Sequence, residues 1–378
     1  MFSELFSGIL ALSWGNLIMI AVGTLLIYLA IVKKYEPALL LPIGFGTILV
    51  NIPLSSAIDQ MVGALQHRGA LSIFFDVGIA TEIFPLLIFI AVGAMIDFTP
   101  LLENPVMFLF GAAAQFGIFG TMMVATLLGF DLRESASIGI IGAADGPTSI
   151  YVASRFARHM LGPISVAAYS YMSLVPIIQP PVIKTLTSKK ERMIKMQPKA
   201  RKIPRIVRII FPISITIMAS LLAPTSAALI GFLMFGNLLR ECGVLESLSK
   251  TAQNELANLV TILLGLTIAS TMTADKFLKP QTLMILGLGL VAFVFDTAAG
   301  VLFAKFLNLF LKNKLNPMLG AAGISAFPMS ARVIHKMGLQ EDPTNFLLMY
   351  AAGANTAGQI GSVLAGGILI SLIGGIQI

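Results

Sequence analysis

One aspartate with two hydroxyl-bearing neighbours stands in a stretch otherwise too apolar to hold a charge. The string is Gly142-Ala143-Ala144-Asp145-Gly146-Pro147-Thr148-Ser149-Ile150-Tyr151. Apolar runs long enough to cross a bilayer flank it. A carboxylate at the centre of a membrane helix costs on the order of 3 kcal/mol on insertion scales, and such residues are functional by default. Gly146-Pro147 is the pair least able to continue a helix. A broken helix frees backbone carbonyls, and such breaks occur in membranes where protein or a water-filled cavity surrounds them. One carboxylate, loose carbonyls and the Thr148 and Ser149 hydroxyls make an all-oxygen set of the kind hard cations prefer. This points to an ion site near mid-membrane. The plainer alternative is a kinked helix whose aspartate pairs with an arginine.

Two further polar strings interrupt apolar runs. Asn316-Pro317-Met318-Leu319-Gly320 leads through Ser325 to Pro328, again with Gly and Pro breaking the run and with neutral oxygens at Asn316 and Ser325. Gly353-Ala354-Asn355-Thr356-Ala357-Gly358-Gln359-Ile360-Gly361-Ser362 has small residues spaced for close helix contact. Its Asn355, Thr356 and Gln359 indicate a polar pathway as well as packing. One carboxylate among neutral oxygens suits a monovalent cation better than a divalent one, so Na⁺ or H⁺ is the expected ion. Arg332 follows the second break. It is suited to receiving an anionic substrate from inside, to pairing with a buried carboxylate, or to marking an interface. Tyr169, Tyr171 and Gln179 lie on a Pro-rich helix after Asp145, with Tyr171 placed to pass a proton or hydrogen bond toward the site. Asp296 with Lys305, and Glu82, Asp97 and Asp275 near span ends, read as interfacial or paired charges.

The elements that position these groups are membrane helices. Of 378 residues 57% are hydrophobic and 11% charged, against about 25% charged in soluble domains. Apolar runs of about 18 residues or more recur along the chain, the mark of a polytopic all-α membrane protein. The single cysteine, Cys242, and three histidines exclude an internal disulfide and a Cys/His metal cluster. The net charge of +7 sits mostly in a few loops and reads as an orientation signal, not as nucleic-acid affinity. The start lacks a basic segment, so the run from Leu17 is expected to be a span and not a cleaved leader. There is no phosphate-binding glycine loop. Lys195-Met196 lacks the preceding Ala-Met of a biotin attachment site, so no biotin is expected on this chain.

In the first half, spans are expected over 17–32, 39–54, 83–96 and 105–130. A broken element follows over 135–156, then a helix over 163–183 interrupted by Pro176, Pro180 and Pro181. Residues 55–79 read as extramembrane or interfacial. After the basic stretch from Lys184 to Arg208 the pattern restarts, with runs over 206–222, 223–239, 259–273, 280–311, 319–334 and 346–376. The halves echo one another at an offset of about 180 residues. Ile43-Gly44-Phe45 with Asn51 matches Ile230-Gly231-Phe232 with Asn237. Gly142-Ala143-Ala144 matches Gly320-Ala321-Ala322, and Ala153-Ser154-Arg155 matches Ser330-Ala331-Arg332. A duplicated unit follows, with a first repeat over 1–186, a basic cytoplasmic linker over 187–205 and a second repeat over 206–378. Transporters are often built so, with broken helices of both halves meeting at a central site. Placing the basic loops inside gives five full crossings per half and external termini. The expected architecture is therefore two inverted-topology repeats whose broken or re-entrant helices bring Asp145 and Asn316 together at mid-membrane.

The Gly-Ala-Ala-Asp-Gly-Pro-Thr-Ser-Ile-Tyr string, Asn-Pro-Met-Leu-Gly and Gly-Ala-Asn-Thr-Ala-Gly-Gln-Ile-Gly-Ser give a resemblance over nearly the whole chain. It is similar to the integral-membrane β subunit of the Na⁺-translocating biotin-dependent decarboxylases, which act on oxaloacetate, methylmalonyl-CoA or glutaconyl-CoA. The resemblance implies a bacterial cytoplasmic-membrane subunit that decarboxylates carboxybiotin, consumes a proton and exports Na⁺. It implies as partners a biotin carrier subunit, a carboxyltransferase (α) subunit and a small membrane subunit of γ or δ type, and leaves room for a homo-oligomer. It puts Asp145, Tyr171 and Arg332 in catalytic roles, with Arg332 holding carboxybiotin. Na⁺ falls to Asp145, Asn316, Gly320, Ser325 and Asn355. The chain length is nearer the acyl-CoA types than the oxaloacetate type. The rival class is a Na⁺-coupled secondary transporter of an organic anion, which would move its solute without partners.

Overall fold

The computed structural model describes residues 6–62, 65–196 and 202–374. Apart from a small hairpin, the described residues form helices. The chain begins with α1 (Trp14–Val32) and α2 (Pro37–Asn51). Ser13 opens α1 with a capping box to Asn16, which satisfies amide and side chain together. Strands β1 (Gln60–Val62) and β2 (Leu65–His67) pair antiparallel, with Gln60 opposite His67. Then come α3 (Ala70–Ile79) and α4 (Ile83–Met95), bent 63° from each other and apolar enough together for one span. Residues 55–79 were expected to be extramembrane or interfacial; of these, residues 70–79 form a helix apolar enough to be part of a broken span or a re-entrant loop. Asp76 ends in an exposed pair with Arg68, but the helix itself joins the apolar run.

The short α5 (Thr99–Glu103) leads into α6 (Met107–Leu127), which is interrupted at Ala114–Gln115. Next are α7 (Leu132–Gly139), a 3₁₀ turn over Ile140–Ala143, and α8 (Gly146–Phe156). The Pro-rich α9 runs unbroken over Leu161–Leu186. Its three prolines were expected to interrupt it. In a membrane bundle, neighbouring helices and small adjustments tolerate the missing amide bonds that would break a helix in water.

The linker contributes α10 (Lys189–Arg192). The second half runs α11 (Arg205–Leu222), α12 (Ala227–Glu241), α13 (Glu246–Thr271), α14 (Ala274–Phe277) and α15 (Pro280–Phe310). It ends with α16 (Met318–Ala321), α17 (Met329–Glu341) and α18 (Leu348–Gly374). Among the described residues seven helices are long and apolar enough to cross a membrane, eight if the bent pair counts as one span. The outward faces carry exposed leucines, isoleucines and phenylalanines, such as Leu127, Leu222 and Leu309, as expected where lipid and not water is the solvent.

The core lies where the halves interlock. Asn51 at the end of α2 donates to Met272 O (2.8 Å), just past α13. Asn237 near the end of α12 donates to Ile96 O (2.9 Å), just past α4. The two asparagines that mark the sequence echo thus do the same job at the opposite half. Helices α15 and α16 touch backbone to backbone at Gly300 and Gly320, where any side chain on either would strike the other's carbonyl.

Candidate functional site

Asp145 sits in the gap between the 3₁₀ turn and α8. Ala144 before it adopts the left-handed conformation at φ 51°, a strained choice for an alanine. The chain thereby leaves the first half-helix, and Asp145 becomes the N-cap of the second, with Pro147 in its first turn. The carboxylate is 2% exposed. Its Oδ1 accepts from Thr148 N (3.2 Å). Its Oδ2 accepts from Thr148 Oγ1 (2.7 Å), Gln359 Nε2 (2.7 Å) and Ser362 Oγ (2.6 Å). Among the described residues these donors are neutral, and no lysine, arginine or histidine pairs with the carboxylate. The plainer alternative of an aspartate–arginine kink is therefore not what forms. A negative charge in a cage of neutral dipoles is complementary to a small cation.

The second break meets the first. Between α16 and α17 the chain loses helical structure, and Ser325 N (3.0 Å) and Ser325 Oγ (2.9 Å) both donate to Ala143 O, two residues before Asp145. Asn355 on α18 donates to Ile324 O (2.6 Å) in the same break. Its own buried Oδ1 has no hydrogen-bond partner among the described residues, so it remains an unused oxygen. Gln179 of α9 braces the break from the other side, reaching Ala321 O (2.8 Å) and Ser330 Oγ (2.9 Å). Asp145, Ser325 and Asn355 are thus brought together by two broken helices and α18.

Other residues fall elsewhere. Asn316 spends its amide on the linker, donating to Arg192 O (2.8 Å) and Ile194 O (2.9 Å), while its Oδ1 accepts from Met318 N (3.1 Å). None of these bonds reaches Asp145. Gly320 serves the close contact with Gly300. Tyr171 donates from its hydroxyl to Leu286 O and lays its ring on Gly289 of α15. It is Tyr169 whose ring packs on Gly146, directly beside Asp145. Arg332 is exposed, near the start of α17. Arg155, its counterpart in the first half, pairs with Glu82 (2.5 Å). Asp97 pairs with Arg240 (3.7 Å), as expected for charges at span ends.

Gln359 and Ser362 complete the cage. In the sequence Gln359 reads only as a polar-pathway residue, and Ser362 as the end of a string of small residues. Their separation of three residues puts both on one helical face, which was the available signal. Asp296 is the other miss. Lys305 turns to Leu186 O (3.0 Å) and Glu191 (3.1 Å), and Asp296 is fully buried at 0% exposure.

The linker is strapped across one end of the bundle. Arg192 pairs with Glu341 (2.5 Å) and Lys195 with Asp342 (2.9 Å). Asn345 donates to the same Arg192 and Ile194 carbonyls as Asn316. Bonds from Thr344 and from Lys195 hold the Asp342 carboxyl down at about 2. Burial opposes ionisation of Glu191, but bonds from Ser188 and Lys305 outweigh it and hold that carboxyl below its usual range. Beside the strap lies a cavity of about 600 Å³ lined in part by Lys195, Lys312, Lys314, Asn104 and Tyr350.

The chain matches, over residues 15–373, the family of the Na⁺-transporting oxaloacetate decarboxylase beta subunit. It is 53% identical to glutaconyl-CoA decarboxylase subunit beta of Acidaminococcus fermentans, covering 98% of this chain and 96% of that one. It is 50% identical to methylmalonyl-CoA decarboxylase subunit beta of Propionigenium modestum, covering 97% of each. It is 48% identical to a probable oxaloacetate decarboxylase beta chain of Vibrio cholerae, covering 97% of this chain and 98% of that one. A bundle of apolar helices accords with those matches. The chain belongs to the β-subunit family of the Na⁺-transporting, biotin-dependent decarboxylases, multi-pass proteins of the bacterial inner membrane.

Proposed function

We propose that this chain decarboxylates carboxybiotin at the cytoplasmic face and couples that step to export of Na⁺ through Asp145. The single observation that carries the reading is the Asp145 carboxylate, buried without a counter-ion and ringed by Thr148, Gln359 and Ser362. A lone buried carboxylate is costly unless a cation or a proton neutralises it. Na⁺ and H⁺ then compete for one site, and a proton released there is the one the chemistry consumes. In that step the bond from the biotin ureido nitrogen to the carboxyl carbon breaks, carbon dioxide leaves, and the nitrogen takes up the proton.

Ser325 from the second break and Asn355 from α18 complete the Na⁺ shell, the Asn355 Oδ1 being the clearest spare ligand. Asn316 and Gly320 act on this shell through the position of α16, and Asn316 reaches it only when the linker lets go. Arg332 holds the carboxylate of carboxybiotin, for which a planar bidentate donor is suited. The lysine-lined cavity beside the linker attracts the anion to that face. Tyr171 contributes by fixing α9 against α15 near the path. The partners are a biotin carrier, a carboxyltransferase (α) subunit and a small γ- or δ-type membrane subunit, with biotin carried elsewhere than on this chain. The scaffold is read as two inverted-topology repeats, 1–186 and 206–378, joined by a cytoplasmic linker over 187–205. What supports this is the repeated element order and the reciprocal bonds of Asn51 and Asn237.

The test is avidin purification from native membranes followed by a decarboxylation assay with and without Na⁺. Copurification of this chain with a biotin protein, and Na⁺-dependent decarboxylation, are the predicted results. Solute transport by the chain alone in liposomes, with no biotin partner, would assign it instead to the Na⁺-coupled anion transporters.

A further inference from the structure

Asp296 is a second fully buried carboxylate, on the face of α15 that runs past both helix breaks. Its Oδ1 accepts from Gly117 N (2.5 Å), one of the free amides at the start of the second half of α6. Among the described residues its Oδ2 has no hydrogen-bond partner. That oxygen points at Gly142, three residues before Asp145, where an added Cβ would stand 2.7 Å from it. An added Cβ on Gly117 would collide with Oδ1. One turn further along α15, Gly300 lies against Gly320 of the second break. About two turns back, Gly289 lies against the Tyr171 ring. Among the described residues no cationic side chain neutralises Asp296.

Capping the half-helix of α6 explains only one of the two oxygens, and it does not require a charge. An asparagine oxygen caps a helix as well as a carboxylate does. An ionisable group fully desolvated between two helix breaks, with one oxygen unused, is a functional residue by the cost of keeping it there. Gly142 and Gly117 leave the carboxylate open to backbone on both sides. The monovalent preference argued for Asp145 holds here too, since no second carboxylate stands in contact with Asp296.

We propose that Asp296 is a second Na⁺-binding carboxylate of the transport path, seated between Gly117 of α6 and Gly142 of the Asp145 break. The proposal rests on the reading of this chain as a Na⁺ path. The ion occupying Asp296 contacts Oδ2 and is separated from the Asp145 cage by the 3₁₀ turn. Movement of that turn couples occupancy of one carboxylate to the other.

The experiment is equilibrium binding of radioactive Na⁺ to the purified complex, in wild type, Asp145→Asn, Asp296→Asn and the double variant. Asp296→Asn is expected to bind one Na⁺ fewer per chain than wild type while keeping its cap on Gly117. Asp145→Asn is expected to keep a Na⁺ site that the double variant loses. Wild-type stoichiometry with affinity within about twofold in a folded Asp296→Asn protein overturns the proposal. If Asp145→Asn leaves binding untouched while Asp296→Asn reduces it, the Asp145 reading fails and this one stands. Should Asp296→Asn not fold, infrared difference spectra of Asp145→Asn, Na⁺ minus choline, decide. Loss of a protonated-carboxyl band on adding Na⁺ is predicted, and its absence overturns the proposal.

Discussion

Ser362→Ala removes one hydroxyl from the Asp145 cage and little else. Ser362 Oγ stands 2.6 Å from Asp145 Oδ2 and 3.0 Å from Gln359 O. A hydroxyl has a single proton, and the shorter contact to the carboxylate takes it. A hydrogen bond to a charged group contributes about 1.5–3 kcal/mol, and each 1.4 kcal/mol is a factor of about ten in affinity. The charged carboxylate that receives Na⁺ loses that support, so apparent Na⁺ affinity should fall about tenfold to a hundredfold. Thr148 and Gln359 remain on Oδ2, so binding is weakened and not abolished. The matched control is Thr356→Ala on the same helix, whose hydroxyl donates to Gly353 O (3.0 Å); it should leave Na⁺ affinity within about twofold. The assay is the Na⁺ dependence of decarboxylation by the reconstituted complex. A Ser362→Ala complex with wild-type Na⁺ dependence would refute the cage as the ion site.

Three other variants separate the roles assigned above. Arg332→Lys keeps the charge but loses the bidentate fork; apparent affinity for carboxybiotin should weaken with Na⁺ dependence kept, and a change in Na⁺ affinity alone would move Arg332 to the ion path. Gly320→Ala puts a methyl into the Gly300 backbone; overpacking of about 1–3 kcal/mol should lower the thermal midpoint and, by displacing α16, weaken apparent Na⁺ affinity of the folded fraction, whereas unchanged affinity would show that α16 does not act on the ion shell. Asp342 is held at about 2 against about 3.9 for a free aspartate. Its contribution to the linker strap is therefore complete above about 3.9 and lost as pH falls through about 2. A spin label at Lys189→Cys in a Cys242→Ser background should loosen over that range, and Asp342→Asn should loosen it at neutral pH. A label equally ordered in both would show that the Lys195–Asp342 pair does not hold the strap.

Much of the scaffold was legible because the bilayer imposes it. Apolar length announced most of the long helices, and Gly-Pro announced the break at Asp145. The echo at Asn51 and Asn237 marked two contacts that turned out reciprocal. The unbroken α9 was not legible, since Pro176, Pro180 and Pro181 carry the same local signal whether or not a bundle absorbs them. Helix α3 was obscured by Asp59 and Arg68 just before it and by Asp76 within it, the last paired with Arg68. Within the site, Asp145 and Ser325 stand out by residue type and spacing, while Asn355 reads only as a polar-pathway residue that the family resemblance puts with them. Asn316 was placed with them on equal grounds, yet its amide is engaged by linker carbonyls that no motif encodes. Ser362 lay in a string of small residues that reads as packing. Asp296 followed a pairing rule, carboxylate near lysine in sequence, that fails because Lys305 reaches the linker from another part of α15.

The central claim is that Na⁺ cannot cross the membrane without the Asp145 carboxylate. Its most direct test is uptake of radioactive Na⁺ into proteoliposomes by the purified complex during decarboxylation, with wild type against Asp145→Asn. Asparagine keeps the shape and part of the hydrogen bonding but removes the charge. The account predicts that the variant assembles and takes up no Na⁺ above the rate without substrate. Wild-type uptake by Asp145→Asn would contradict it and leave Asp145 as a structural kink residue.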